Sequence, residues 1–103
     1  ALPIYSSPEA KAFATTYRAL MKVAPDNQSS WTFDAMNLLA TAINKAGKTA
    51  PAAVREAMLS IKGFKGAEGE YNFDKNGDGL HGYNVVKNVK GNIEFAKHIE
   101  FPA

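Results

Sequence analysis

Cysteine is absent from this 103-residue chain, which removes disulfide frameworks, thiolate metal sites and thiol nucleophiles from consideration. A reduced cytosol and a bacterial periplasm both accept such chains. No apolar run approaches the roughly 20 residues that a membrane-spanning helix needs. Charge of either sign is sparse: twelve Lys plus Arg against ten Asp plus Glu leave a net +2. The lysines are scattered from Lys11 to Lys97 without a basic block or interleaved aromatics, so no nucleic-acid partner is expected. An initiator Met, a basic leader and an apolar leader core are all lacking at Ala1-Leu2-Pro3, and the chain reads as a processed product or a fragment. Neither a G-x-S-x-G elbow nor a P-loop is present, so hydrolysis and nucleotide binding have no support.

What is there is an ordinary folding composition, 46% hydrophobic and 21% charged, enough for one small domain with a single modest core. Its organising stretch is Ser29 to Gly47. Polar residues recur at Asp34, Asn37, Thr41, Asn44 and Lys48, while Trp31, Ala35, Met36, Leu38, Leu39, Ala42, Ile43 and Ala46 cover the remaining circumference. Steps of three and four predict a central helix wetted along one narrow stripe, capped by Ser29 or Ser30 and closed by Gly47.

Around that helix the chain supplies two more. Ser7-Pro8-Glu9 opens one, with Ser7 as cap and Pro8 in the first turn, and Ala10, Phe13, Ala14, Tyr17, Met21 and Ala24 form its apolar face before Pro25-Asp26-Asn27 breaks it. Another opens at Pro51, carries Val54, Ala57, Met58 and Ile61, and ends by Gly63. The period then changes. Gly69 to Phe73 alternates as a strand, Asp74 to Gly79 is a turn, Tyr83 to Lys90 alternates again, and Gly91-Asn92 is the predicted hairpin turn into a last strand ending near Phe101. Ala1 to Tyr5 resembles the end of a strand or a linker.

Four constellations could carry chemistry. Asp74-Lys75-Asn76-Gly77-Asp78-Gly79 matches the first half of a calcium loop, but position twelve, where a bidentate carboxylate belongs, is Val85. His81 and His98 are far apart and read as solvent-exposed. Glu68, Glu70 and Asp74 surround one strand and read as a solvated face, so no catalytic pair is assigned. Gln28, Ser29 and Trp31 stand at the start of the central helix, where free backbone N–H groups and the helix dipole favour a carboxylate or another acceptor. These three are the candidate ligand-binding residues, with no catalytic residue, metal or cofactor expected.

Taken in order, Ser7-Pro8-Glu9-Ala10-Lys11-Ala12-Phe13, Pro25-Asp26, Thr32-Phe33-Asp34-Ala35-Met36-Asn37-Leu38-Leu39-Ala40, Ala42-Ile43, Lys45-Ala46-Gly47, Ala53-Val54-Arg55-Glu56-Ala57-Met58, Gly66, Gly69, Phe73-Asp74 and Asn76-Gly77-Asp78 resemble the C-terminal part of type I periplasmic solute-binding proteins. The branched-chain amino-acid-binding group of ABC importers is the nearest likeness. The resemblance implies an α/β fold, the C-terminal portion of a bilobed protein, with three helices followed by about three strands. It implies a single fragment, residues 1–103, with 7–73 in the first lobe and 74–103 crossing the hinge into the second.

The resemblance further implies a periplasmic, non-enzymatic transport component that binds an amino acid or a related small carboxylate or amide in an interlobe cleft and hands it to a membrane permease. Gln28 and Ser29 match family positions that border the cleft. Phe33 stands where the family pattern has tyrosine, which removes a hydroxyl. The alternatives are a calcium-binding interaction module built on residues 74–79 and a sensory domain of the same fold. Three helices that should cover a parallel sheet would find too few strands here, so the remainder of the protein or self-association is expected to cover apolar surface.

Overall fold

The computed structural model describes residues 7–101, and the expectation for Ala1 to Tyr5 lies outside them. Three helices come first: α1 Pro8–Met21, α2 Asn27–Ala46 and α3 Pro51–Leu59. Four strands follow, β1 Phe64–Lys65, β2 Glu70–Tyr71, β3 Gly82–Val89 and β4 Asn92–Glu100. The α/β class and the order of helices before strands agree with the sequence reading. Both sheets are two-stranded and antiparallel, so the expected parallel sheet is not found among the described residues.

Local chemistry explains the helix ends. Ser7 accepts a hydrogen bond from the Ala10 N–H at 3.0 Å, and Pro8 occupies the first turn where its missing N–H costs nothing. α1 stops before the Pro25 break, because Lys22 turns left-handed at φ 64° and returns its N–H to Arg18. The cap of α2 is Asp26, not Ser29 or Ser30: its carboxylate accepts the Ser29 N–H at 2.8 Å. An ionised acceptor makes a strong bond to a helix-start N–H, and the cap of α2 accordingly lies three residues before Ser29. Gly47 closes the other end at φ 70°.

The burial pattern of α2 differs from the predicted stripe. Its inward face is Ser30, Asp34, Leu38 and Ala42, one residue every four, and Asp34 is only 1% exposed. Trp31, Phe33, Met36 and Leu39 are largely exposed. Neighbours meet α2 along one side only, so its helical spacing reports amphipathic capacity and not actual cover. The core consists of Leu38, Ala42, Ala57, Ile61 and Tyr71, ringed by Val54, Met58, Phe64, Phe73 and Leu80. Each fully buried aliphatic side chain contributes about 1.5–3 kcal/mol.

The strands around the core are short. β1 pairs with β2 through Phe64 opposite Tyr71, and Gly66 donates to the Gly69 carbonyl at 2.8 Å to close the turn. β1 is too short to leave a periodic signal and was not anticipated. The long hairpin β3–β4 turns on Lys90 and Gly91, both at positive φ, one residue before the predicted Gly91-Asn92 pair. Positive φ at both central positions matches the right-handed twist of the strands. A bulge between Val85 and Val86 shifts the register midway.

Candidate functional site

Asp34 is where the helices and the short strands meet. Its Oδ1 accepts the Ala67 N–H at 2.7 Å, and its Oδ2 accepts the Glu68 N–H at 2.9 Å and the Tyr71 hydroxyl at 2.8 Å. Gly66 must pass this carboxylate closely, since a Cβ there would stand 2.6 Å from Oδ2. One buried side chain therefore fixes the β1–β2 turn against α2. Burial, the bond to Asp34 and the nearby negative charges push the Tyr71 phenol well above its ordinary pKa, so it remains a protonated donor.

The fixed turn carries Glu68 to the start of α2. There Ser30 donates its hydroxyl to Glu68 Oε1, and the nearby Trp31 side chain helps to hold the Glu68 carboxyl down. Burial pushes the Glu68 carboxyl up; the Ser30 bond opposes that shift and the Asp34 charge adds to it. Glu68 is half-buried, contrary to the solvated reading, whereas Glu70 is exposed.

Glu68 and Trp31 form one wall of a cleft of about 320 Å³. Leu80, Tyr83, Asn84 and His98 complete it from the connecting loop and the β3–β4 hairpin. Asn84 and Glu100 hold the His98 ring through its two nitrogens, at 2.7 and 2.5 Å. The cleft thus combines an aromatic wall, a carboxylate, an amide and an imidazole, which suits a small polar molecule with some apolar surface.

Of the three residues predicted from sequence, Trp31 reaches this cleft. Gln28 lies one helical turn before Trp31, exposed, with its carbonyl taking the Thr32 hydroxyl at 2.8 Å. The Ser29 hydroxyl donates to the Asp26 carbonyl at 2.8 Å. Gln28 and Ser29 do not line the cleft. Sequence reading missed Ser30 and Glu68 as cleft-side residues because one looked like a cap and the other like surface. The usable signal was the Gly66-x-x-Gly69 frame, which turns the chain back sharply.

The other motifs resolve simply. Asp74 Oδ1 accepts the Asn76 and Asp78 N–H groups at 2.8 and 3.1 Å, so its carboxylate organises its own turn. Among the described residues no three His, Cys, Asp or Glu side chains converge as a metal site. His81 binds the Asn72 carbonyl at 2.8 Å and His98 lies apart from it on the hairpin; His81 is half-buried, not exposed as expected. Gly77, Gly79 and Gly82 follow a G-x-G-x-x-G spacing, but the run enters strand β3, and a phosphate cradle needs a helix start at that point. A second, apolar groove of about 560 Å³ runs between α1 and α2, lined by Phe13, Tyr17, Phe33 and Phe64.

Comparison with known proteins accounts for this arrangement. The chain superimposes on the leucine-binding protein LivK of Thermotoga maritima MSB8 with a TM-score of 0.82 and 29% identity, over 93% of this chain and 27% of that one. It also superimposes on the solute-binding protein of an ABC transporter from R. palustris, solved in complex with benzoate, with a TM-score of 0.80 and 17% identity, over 95% of this chain and 28% of the other. The second likeness is one of fold alone. This chain spans little more than a quarter of the length of either structure. No curated protein sequence matches it. The periplasmic binding protein family matches residues 2–92, nearly the whole described chain, and the chain belongs to that family.

Proposed function

We propose that this chain is the C-terminal part of a solute receptor of an ABC importer, binding an amino acid or a related small carboxylate or amide in a cleft between two lobes. Residues 7–73 belong to the first lobe, and residues 74–103 cross the hinge into the second. The observation that carries the reading is the cleft itself, in a chain of this family: Trp31 comes from α2, Glu68 from the β1–β2 turn fixed against it, and Tyr83, Asn84 and His98 from the hairpin. A ligand touching both sides stabilises the closed arrangement, because only that arrangement offers both sets of contacts. Gln28 and Ser29 sit at the amino end of α2, where the dipole favours an acidic group, and Trp31 supplies apolar contact. The closed receptor then delivers its solute to a membrane permease from the periplasm. No covalent step is assigned to any residue.

Calorimetric titration of the complete protein with the proteinogenic amino acids and with small carboxylates tests this. Saturable binding of one of them, weakened by Trp31→Ala, is the expected result. Absence of binding across the whole set would remove the receptor reading.

A further inference from the structure

The two structural neighbours hold chemically different solutes by their own descriptions: a leucine-binding protein, whose ligand carries an ammonium group, and a receptor in complex with benzoate, whose ligand has none. The charges around the present cleft distinguish between such solutes. Glu68 lies on its wall. Behind Glu68 is Asp34, whose two oxygens already accept three hydrogen bonds, and beside it is the protonated phenol of Tyr71. Across the cleft His98 is paired with Glu100 on its own hairpin. Among the described residues neither Glu68 nor Asp34 is in an ion pair with a lysine, arginine or histidine. Glu68, a carboxylate without a counter-charge, borders a cleft whose adjacent surface is the Trp31 indole, with the buried Asp34 carboxylate behind it.

That is an environment short of a cation. A carboxylate in partial burial loses solvation, and a fixed positive charge restores it through short-range attraction. An indole face adds attraction for an ammonium group through its quadrupole. A solute that presents only an acid would place a further negative charge against Glu68.

Resting on the receptor reading above, we propose that Glu68 is a specificity-determining residue that selects solutes carrying a protonated amine, the amine lying between its carboxylate and the Trp31 ring. Ser30 is a positioning residue, since its hydroxyl holds Glu68 Oε1 and so fixes the carboxylate at the cleft wall. The amine-free acids are excluded by charge and not by size.

The test uses the complete protein and three kinds of probe: the proteinogenic amino acids, 4-methylpentanoate as the amine-free counterpart of leucine, and benzoate. Wild type and Glu68→Gln are titrated calorimetrically at neutral pH. Gln keeps an acceptor for Ser30 and removes the charge, and circular dichroism checks that the variant is folded. Wild type is expected to bind at least one amino acid about tenfold or more tightly than either amine-free acid, and Glu68→Gln to lose about tenfold for that amino acid while binding the acids as well or better. Equal affinity of the two proteins for the amino acid overturns the role of Glu68 and leaves the receptor reading standing. Preference of wild type for benzoate or 4-methylpentanoate over every amino acid does the same, without needing the variant. Failure of all probes to bind overturns both.

Discussion

Tyr71 donates its hydroxyl proton to Asp34 at 2.8 Å, joining two residues separated by 37 positions of chain. Asp34 also accepts the N–H groups of Ala67 and Glu68, so a single carboxylate satisfies three donors at a buried junction. Its removal leaves donors without partners, each at a cost of about 1–3 kcal/mol. Asp34→Ala is therefore expected to destabilise by several kcal/mol and Tyr71→Phe by about 1.5–3 kcal/mol, as fits one bond to a charged acceptor. Urea unfolding measures both. Equal losses in the two variants would mean that the backbone bonds to Asp34 contribute nothing.

The close passage of Gly66 beside Asp34 gives a coupled prediction. Gly66→Ala places a Cβ within 2.6 Å of Asp34 Oδ2 and 2.7 Å of the Tyr71 ring, an overpacking expected to cost about 1–3 kcal/mol. Part of that cost should disappear in Asp34→Ala, where the obstructing carboxylate is gone and only the Tyr71 ring remains in the way. A double-mutant cycle reads the coupling directly. Strict additivity would place the strain elsewhere.

The helix ends could be read before the fold was known, and this junction could not. Ser7, Pro8, Gly47 and Pro51 act on their own helix ends, Ser7 through its hydroxyl and the others through their backbones, so their roles survive translation from sequence to structure. The burial of Asp34 depends on residues more than thirty positions away, and local periodicity assigns any aspartate on a helix to water. Ser30 and Glu68 were obscured for the same reason: each has an adequate local explanation, and only the turn held by Asp34 brings them together. Trp31 lines the cleft, and its position at the start of α2 had marked it. The shift of the α2 cap to Asp26 shows the limit of motif reading, where an aspartate and two serines could each begin the helix and the aspartate does so.

Glu68 sets a pH dependence whose sign follows from its direction of shift. Burial, with the charge of Asp34, raises its folded-state pKa above the ordinary 4.5. Between the ordinary and raised values the folded chain binds more protons than the unfolded one, so stability falls as pH rises through that window. The groups facing Glu68 are Ser30 and Asp34 from α2, Tyr71 from β2 and His98 across the cleft. Glu68→Gln removes the titrating proton. The melting temperature of wild type is expected to fall relative to the variant as pH climbs from 4.5 toward neutrality. A constant difference across that range would show that Glu68 is as well solvated when folded as when unfolded.

Lys22 offers a stabilising change. It closes α1 in the left-handed conformation at φ 64°, a region costly for residues with a Cβ and open to glycine. Lys22→Gly is expected to raise stability by up to about 1 kcal/mol. Thermal melting checks the sign, and a loss of stability would indicate that the lysine side chain contributes more than its backbone costs.

The outer face of α2 carries the last prediction. Phe33, Met36 and Leu39 follow at steps of three and are 48%, 64% and 41% exposed, beside Trp31 at 51%. Residues at that spacing share a surface, and Phe33 continues it into the apolar groove where it meets Phe13 at 4.9 Å between ring centroids. Soluble monomers rarely leave a connected apolar surface of this kind uncovered. In the solved relatives, most of the polypeptide lies outside the part that this chain matches. The 103-residue chain alone is therefore expected to self-associate and to bind an apolar dye. Met36→Lys combined with Leu39→Lys should shift it toward monomer, because a lysine head at each position must remain hydrated and cannot enter an apolar interface without loss. Sedimentation velocity over a concentration series separates the outcomes. A compact monomer at all concentrations, with no dye binding and no effect of the two lysines, would mean that this face is stable in water as it stands, and the need for a covering partner would fall.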